Sequence, residues 1–203
     1  VELTMRVTAA EVNEYLKTKN VVLNPGSGDA AYNTLDVDVN LSVPAGRSLT
    51  MKPGVHMDVE TGMILQIDGT VSMEGNMVNN GTINNTSMNT FQVGGSFVNT
   101  GTIKNTGRLI TASLENEGNL SNEGIIEGTV VNNGSLEAAG GQWGTVLQSL
   151  ASAKTTLTSG NLPSSFEITG GILEIAGGRT ENKVQYAGDT FILSSGSLQQ
   201  GLE

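Results

Sequence analysis

Four acidic residues in the N-terminal third stand at alternating positions: Asp36 with Asp38, then Asp58 with Glu60. Alternate residues of an extended strand project to one face, so each pair directs two carboxylates to the same side. Calcium takes six to eight oxygen ligands, and two such pairs on one face would begin a calcium site. A third pair, Glu115 with Glu117, has the same spacing. The competing reading is a solvated acidic wall, because exposed charges of this kind contribute little. Arg47, Lys52 and His56 lie near Asp58 in the sequence. His56 is the sole histidine, so a Ser-His-Asp relay has one candidate base. No Gly-x-Ser-x-Gly elbow surrounds any serine, and Gly26-Ser27-Gly28 lacks the lysine of a phosphate-cradling loop. No catalytic residue is assigned on these grounds.

Asparagine is the most distinctive repeated residue. Asn79, Asn85, Asn99, Asn105, Asn116, Asn122 and Asn132 all share the parity of the apolar positions around them. A buried amide must find partners. Stacked coils supply them, each amide bonding the one above and below while the next glycine takes the tight corner. The functional alternative is an amide row that grips a ligand, but groups facing the interior do not reach one.

These side chains need a scaffold that repeats. Val78-Asn79-Asn80-Gly81-Thr82-Ile83 returns as Val98 to Ile103, Glu115 to Leu120 and Val131 to Leu136. The glycines of the phrase are Gly81, Gly101, Gly118 and Gly134, so the interval shortens along the chain. An interval of this size is one coil of a β-solenoid, each coil adding about 4.8 Å. A weaker copy follows six residues later at Lys104 to Gly107 and Ser121 to Gly124. Apolar residues hold odd positions from Leu35 through Val37, Val39, Leu41 and onward to Leu109. The phase slips by one between Ser113 and Leu114, and Leu114 to Gly140 continues on even positions. A period of two means extended chain with one face in and one out.

Ahead of the coils, Val7 to Lys17 reads as a short helix. Thr8 and Glu11 form a capping box, Val7 and Val12 a hydrophobic staple. So short a helix must dock, and the open first coil is its natural substrate. Val21 to Leu23 reads as a first strand. After Gly141, Trp143, Val146, Leu147 and Leu150 make a helical stripe, while Trp143, Thr145 and Leu147 would serve a strand; Trp143 reads as part of a plug. Phe166 to Ile175 and Phe191 to Leu193 read as strands that add the last coils and close the C-terminal end.

Composition agrees. Aromatics are 4 % of 203 residues, as a narrow interior of Val, Ile and Leu requires. The net charge of −10 and the absence of a basic stripe exclude nucleic acid and disfavour anionic lipid. With no cysteine there is no disulfide, thiolate zinc site or thiol nucleophile. No apolar run reaches the length of a membrane span. No signal peptide is visible at Val1, and the sequence starts without Met, so a signal or anchor is taken to lie outside it.

The Asn-x-Gly-x-Ile/Leu phrases resemble the coils of haemagglutinin- and autotransporter-type bacterial surface proteins. Leu41 to Val59, LSVPAGRSLTMKPGVHMDV, resembles the early coils of pectate-lyase-like proteins, and the preceding helix resembles their N-terminal cap. The resemblance covers roughly residues 7 to 140 as pattern. It implies an all-β, right-handed parallel β-helix; the six-residue echo keeps a left-handed β-helix as the alternative. The expected organisation is a cap over residues 1–30, coils over 31–140, and last coils with a C-terminal cap over 141–203. The resemblance implies a non-catalytic extracellular or cell-surface module, adhesin-like or structural and bacterial, meeting a host or cell-surface glycan or protein. The alternative is a polysaccharide lyase or hydrolase of pectate-lyase-like form, whose relatives hold calcium on outward aspartates with a basic residue to abstract a proton; Asp36, Asp38, Asp58 and Glu60 are the candidates. A trimeric spike and a threonine row of ice-binding type (Thr82, Thr100, Thr102, Thr106) are lesser alternatives. No cofactor other than calcium is expected.

Overall fold

Alternating apolar residues extend the chain, and corners at regular intervals fold each extended piece onto the one before. The result is an all-β parallel solenoid of about 11 turns with one short helix. The computed structural model describes residues 1–180 and 186–199.

Three walls enclose the core. The first stacks Val21–Asn24, Ser48–Met51, Thr70–Met73 and Phe91–Val93, then the first halves of Arg108–Asn116, Ile125–Asn132 and Gln142–Gln148. The second stacks Thr34–Val37, His56–Val59, Met77–Asn79 and Phe97–Asn99, then the second halves of the same three long strands, then Phe166–Ile168. The third stacks nine strands from Leu41–Val43 to Thr190–Leu198. Every strand pairs in parallel with its counterpart one coil away.

Register follows chemistry. Like side chains lie over like: Leu41 over Leu65, Ile83 over Ile103, Asn99 over Asn116. The interior is a single apolar column, Leu23 and Leu35 through Leu173 and Ile175. The odd-position rule holds with one exception, Val39, which follows the end of Thr34–Val37 and is 39 % exposed. The strand stops there, so alternation no longer constrains it.

The intervals between Gly81, Gly101, Gly118 and Gly134 shrink because corners shorten. In the coils that carry the phrase, the interval between the second and third walls is six residues: Asn79 to Asn85, Asn99 to Asn105, Asn116 to Asn122. The six-residue echo is therefore a corner length, not a repeat unit. The other corners contract. The loop 86–90 in one coil is reduced to Thr106-Gly107 in the next. At the corner between the first two walls, the turn around Gly94-Gly95 gives way to bulges inside continuous strands, between Ile110 and Ser113 and between Ile126 and Thr129. The expected phase slip at Ser113 is the first of these bulges. The second is made by Gly128, whose φ of 113° and whose Cβ position, 1.6 Å from Thr111 O, admit glycine alone.

The N-terminal end is covered. Helix α1, Ala9–Leu16, carries the capping box: Thr8 N–H donates to Glu11 Oε2 at 2.8 Å and Glu11 N–H to Thr8 Oγ1 at 3.2 Å. Its Ala9, Val12 and Leu16 are fully buried against the first coil, and Val7 packs on the same core. No described helix is long and apolar enough to cross a membrane.

Residues 142–150 correct one expectation. They form the strand Gln142–Gln148, not a helix; Leu150 is 47 % exposed. The strand alternative also shifts phase: Trp143 lies over Ile126, but past the bulge the inward residues are Val146 and Gln148 rather than Thr145 and Leu147. Trp143 is half-buried and packs edge-on to Phe166, with ring centroids 5.5 Å apart. Phe166 to Ile175 divides into Phe166–Ile168 and Ile172–Thr180 around Gly170-Gly171. Leu193 in the last strand is 50 % exposed, and part of the expected C-terminal cap, residues 181–185 and 200–203, lies outside the described residues.

Candidate functional site

The acidic candidates gather at the second wall of the first two coils. Asp36 and Asp58 occupy paired positions of adjacent strands and project outward, one coil apart. Asp38 and Glu60 follow the ends of those same strands and are exposed. Asp58 is half-buried. Burial, then the charges of Asp36 and Glu60, push its carboxyl above the usual carboxylate range, and His56 opposes them. His56 is otherwise engaged, its Nδ1 accepting Asn76 N–H at 3.0 Å. Among the described residues no three His, Cys, Asp or Glu side chains converge as a metal cage. Arg47 and Lys52, near Asp58 in sequence, are not among the groups that shift it.

Glu115 faces outward on the same wall and accepts from Asn133 Nδ2 at 3.1 Å. Two other acids carry cations: Glu127 with Arg108 at 2.8 Å and Glu174 with Lys154 at 2.7 Å. The Lys154 hydrogen bond, with a second from Ser194, holds the Glu174 carboxyl below its ordinary range.

The amides form two interior ladders. On the second wall Asn79, Asn99, Asn116 and Asn132 each donate Nδ2–H to the next residue's side-chain oxygen at 2.6–2.8 Å, and Gln148 Oε1 ends the series. Each donates its second N–H to the first carbonyl of a third-wall strand in the following coil, as in Asn99 to Asn119 O at 3.1 Å and Asn116 to Ser135 O at 3.0 Å. On the third wall Asn85, Asn105 and Asn122 repeat this at 2.6 Å. Asn105 and Asn122 reach Ile125 O and Gln142 O at the first wall. The amides thus tie neighbouring coils together and pin two of the three corners. All seven are buried, so the structural role anticipated for them holds and no amide of the row faces a ligand.

Sequence reading missed two features here. Gln148 follows Asn132 at the same interval that separates Asn116 from Asn132. That signal was present but hidden by the helical stripe around it. The other is a shallow groove of about 300 Å³ at the bulged corner, lined by Ile125, Glu127, Gly128, Gln142 and Trp143. It exists because two coils turn through a bulge, which no local motif announces.

No family model matches the chain, and no curated protein or solved structure is matched either.

Proposed function

We propose that this chain is a non-catalytic extracellular or cell-surface module of bacterial origin, adhesin-like or structural, whose outer walls present rows of short polar side chains at coil spacing. One observation carries the reading. The chain's most repeated polar groups, its amides, are consumed inside by axial bonding, while the third wall shows outward rows such as Ser42, Gln66, Asn84, Lys104 and Ser121 in register. Rows repeating at about 4.8 Å suit a partner with many weak contacts, a glycan or an extended protein, where multivalency supplies affinity. Tight coil-to-coil bonding suits a rod that holds its length. The test is binding of the protein to cell-surface glycans and proteins before and after Gln66, Asn84 and Lys104 are replaced together by Glu. Loss of binding with an unchanged melting temperature supports the reading; binding indifferent to that wall sinks it.

The Asp36–Asp58 stack favours a second reading, a pectate-lyase-like enzyme in which Asp36, Asp38, Asp58 and Glu60 hold calcium. It predicts calcium-dependent turnover of uronic-acid polymers that Asp58→Asn abolishes, and such turnover would displace the first reading.

A further inference from the structure

The second wall differs from the third in what it shows outward. Register aligns Asp58, Val78, Val98, Glu115, Val131, Leu147 and Glu167 in one row on its outer face, each one coil from the next. The four aliphatic side chains are half-buried, and Glu115 and Glu167 are exposed. The corresponding row of the third wall runs from Ser42 to Glu174 without an aliphatic residue and meets one, Ile192, only in the last strand. The second wall also lacks cations. Among the described residues no Lys or Arg lies on its strands, whereas Arg108 stands on the first wall and Lys104 and Lys154 on the third. The described ion pairs engage Glu14, Glu127 and Glu174, none of which belongs to the row.

We propose that this aliphatic and acidic row docks a basic, partly apolar polypeptide segment lying extended along the solenoid axis. Spacing supports it. Asp58, Glu115 and Glu167 recur every third coil, about 14.4 Å apart at the spacing of paired strands. Two aliphatic side chains fill each interval. An extended chain rises about 3.4 Å per residue, so every fourth side chain recurs on one face at about 13.6 Å. Cations at that interval meet the three acids in turn. The side chain midway between two cations shares their face and covers Val78 with Val98, then Val131 with Leu147. Charge selects the occupant. A second copy of the chain would set a wall without cations against itself, and like charges opposed across an interface are costly. Nucleic acid and anionic lipid are repelled in the same way, and a neutral glycan offers the acids no counter-charge. A basic segment with aliphatic residues between its cations answers both parts of the row. The inference rests on the reading of the chain as a binding module and adds to it a second wall and a partner class.

The probe is a labelled synthetic peptide of three Lys-Ser-Leu-Ser repeats, titrated with the protein by fluorescence anisotropy at low salt. The native chain is expected to bind it, and to bind less well a peptide of the same composition with its lysines contiguous. Glu115→Gln with Glu167→Gln is expected to weaken binding by about fivefold or more, as loss of two exposed ion pairs allows. Val98→Thr with Val131→Thr, which keeps shape but removes apolar surface, is expected to weaken it by a similar factor, about fivefold. Glu123→Gln with Glu137→Gln removes the same charge away from the row and is expected to change binding by less than about twofold. Four results would each overturn the proposal: no binding by the native chain at about 1 mM, no preference for the spaced peptide, no effect of the valine pair, or equal weakening by both glutamate pairs. A native chain at two or three times its monomer mass that Val98→Thr returns to a monomer would also overturn it, since a copy of the chain would then occupy the wall. The probe is a defined peptide and the decisive variants lie on the second wall, so failure here leaves the third-wall reading to its own test.

Discussion

Asn99 Nδ2 donates to Asn116 Oδ1 at 2.7 Å, joining two coils inside the core. The same nitrogen bonds Asn119 O at 3.1 Å, so one side chain fixes both the coil spacing and the corner where the third wall begins. Its removal is felt twice. In Asn116→Ala, Asn99 Nδ2 loses its acceptor and Asn132 Oδ1 its donor. Each orphaned buried group costs ~1–3 kcal/mol, so the urea midpoint is expected to fall by the equivalent of about 3 kcal/mol or more, the cavity adding to it. Asn133→Ala, next door to Asn132 but facing outward, should change stability by less than ~0.5 kcal/mol. Equal effects at the two sites would refute the ladder's role.

Gly118 separates two reasons for glycine. A Cβ there would lie 2.2 Å from Gly101 O, with no left-handed φ involved. The residue is glycine because coils stack closely, not because a turn demands it, which corrects the expectation of a tight-corner conformation. Gly62 is the converse, with φ of 84° and nothing near a Cβ. Gly118→Ala should cost more than ~4 kcal/mol, the range of rare, diagnostic destabilisation. Gly62→Ala should cost about 1–2 kcal/mol from backbone strain alone. Thermal melts of the two variants decide it; a milder effect at Gly118 would mean the coils can spread.

Much of this was legible beforehand because a solenoid writes its period into the sequence. Leu35 to Leu109 declares which face is inside, and the Asn-x-Gly phrase declares the coil length. The capping box Thr8–Glu11 is a local device and is equally visible. What failed lies where local pattern and tertiary context part. Val39 keeps the apolar parity but has left the strand. Trp143, Val146 and Leu147 fit two periods at once, and only stacking on Ile126 and Val130 selects the strand. The acids could be seen to share faces, but not that Asp36 would lie beside Asp58. That depends on the length of the coil from Leu35 to Met57, where no Asn-Gly phrase marks it.

The head of the ladder carries an unmet bond. Asn79 Oδ1 is buried without a partner, because the residue stacked on its other side is Val59. A hydroxyl at that position can donate to it. Val59→Thr is therefore expected to be tolerated far better than Val37→Thr, one coil earlier, where the stacked neighbour is Val59 and no acceptor waits. Both valines are fully buried, so desolvation of the hydroxyl is matched and the difference isolates the new bond, worth about 1 kcal/mol. Equal destabilisation in urea titrations of the two variants would show that Asn79 Oδ1 is already satisfied.

Asp58 makes the stability of the first coils depend on pH. Its folded-state pKa is raised by burial, then by Asp36 and Glu60, so the folded chain holds this proton to a higher pH than the unfolded chain does. Its contribution to stability is fully present below the ordinary aspartate value of 3.8 and is lost as pH rises through the raised folded value. At neutral pH the ionised group sits half-buried beside like charges. Asp58→Asn is expected to melt higher than the native chain at pH 7, with the advantage shrinking as pH approaches about 4. Glu11 and Glu174 act in the opposite sense, their lowered values stabilising the fold at neutral pH and losing that effect on acidification. The difference between native and variant melts therefore isolates Asp58 where the native curve alone does not. A difference that stays constant with pH, or a variant that melts lower at pH 7, would show that the Asp36–Asp58 stack carries no repulsion.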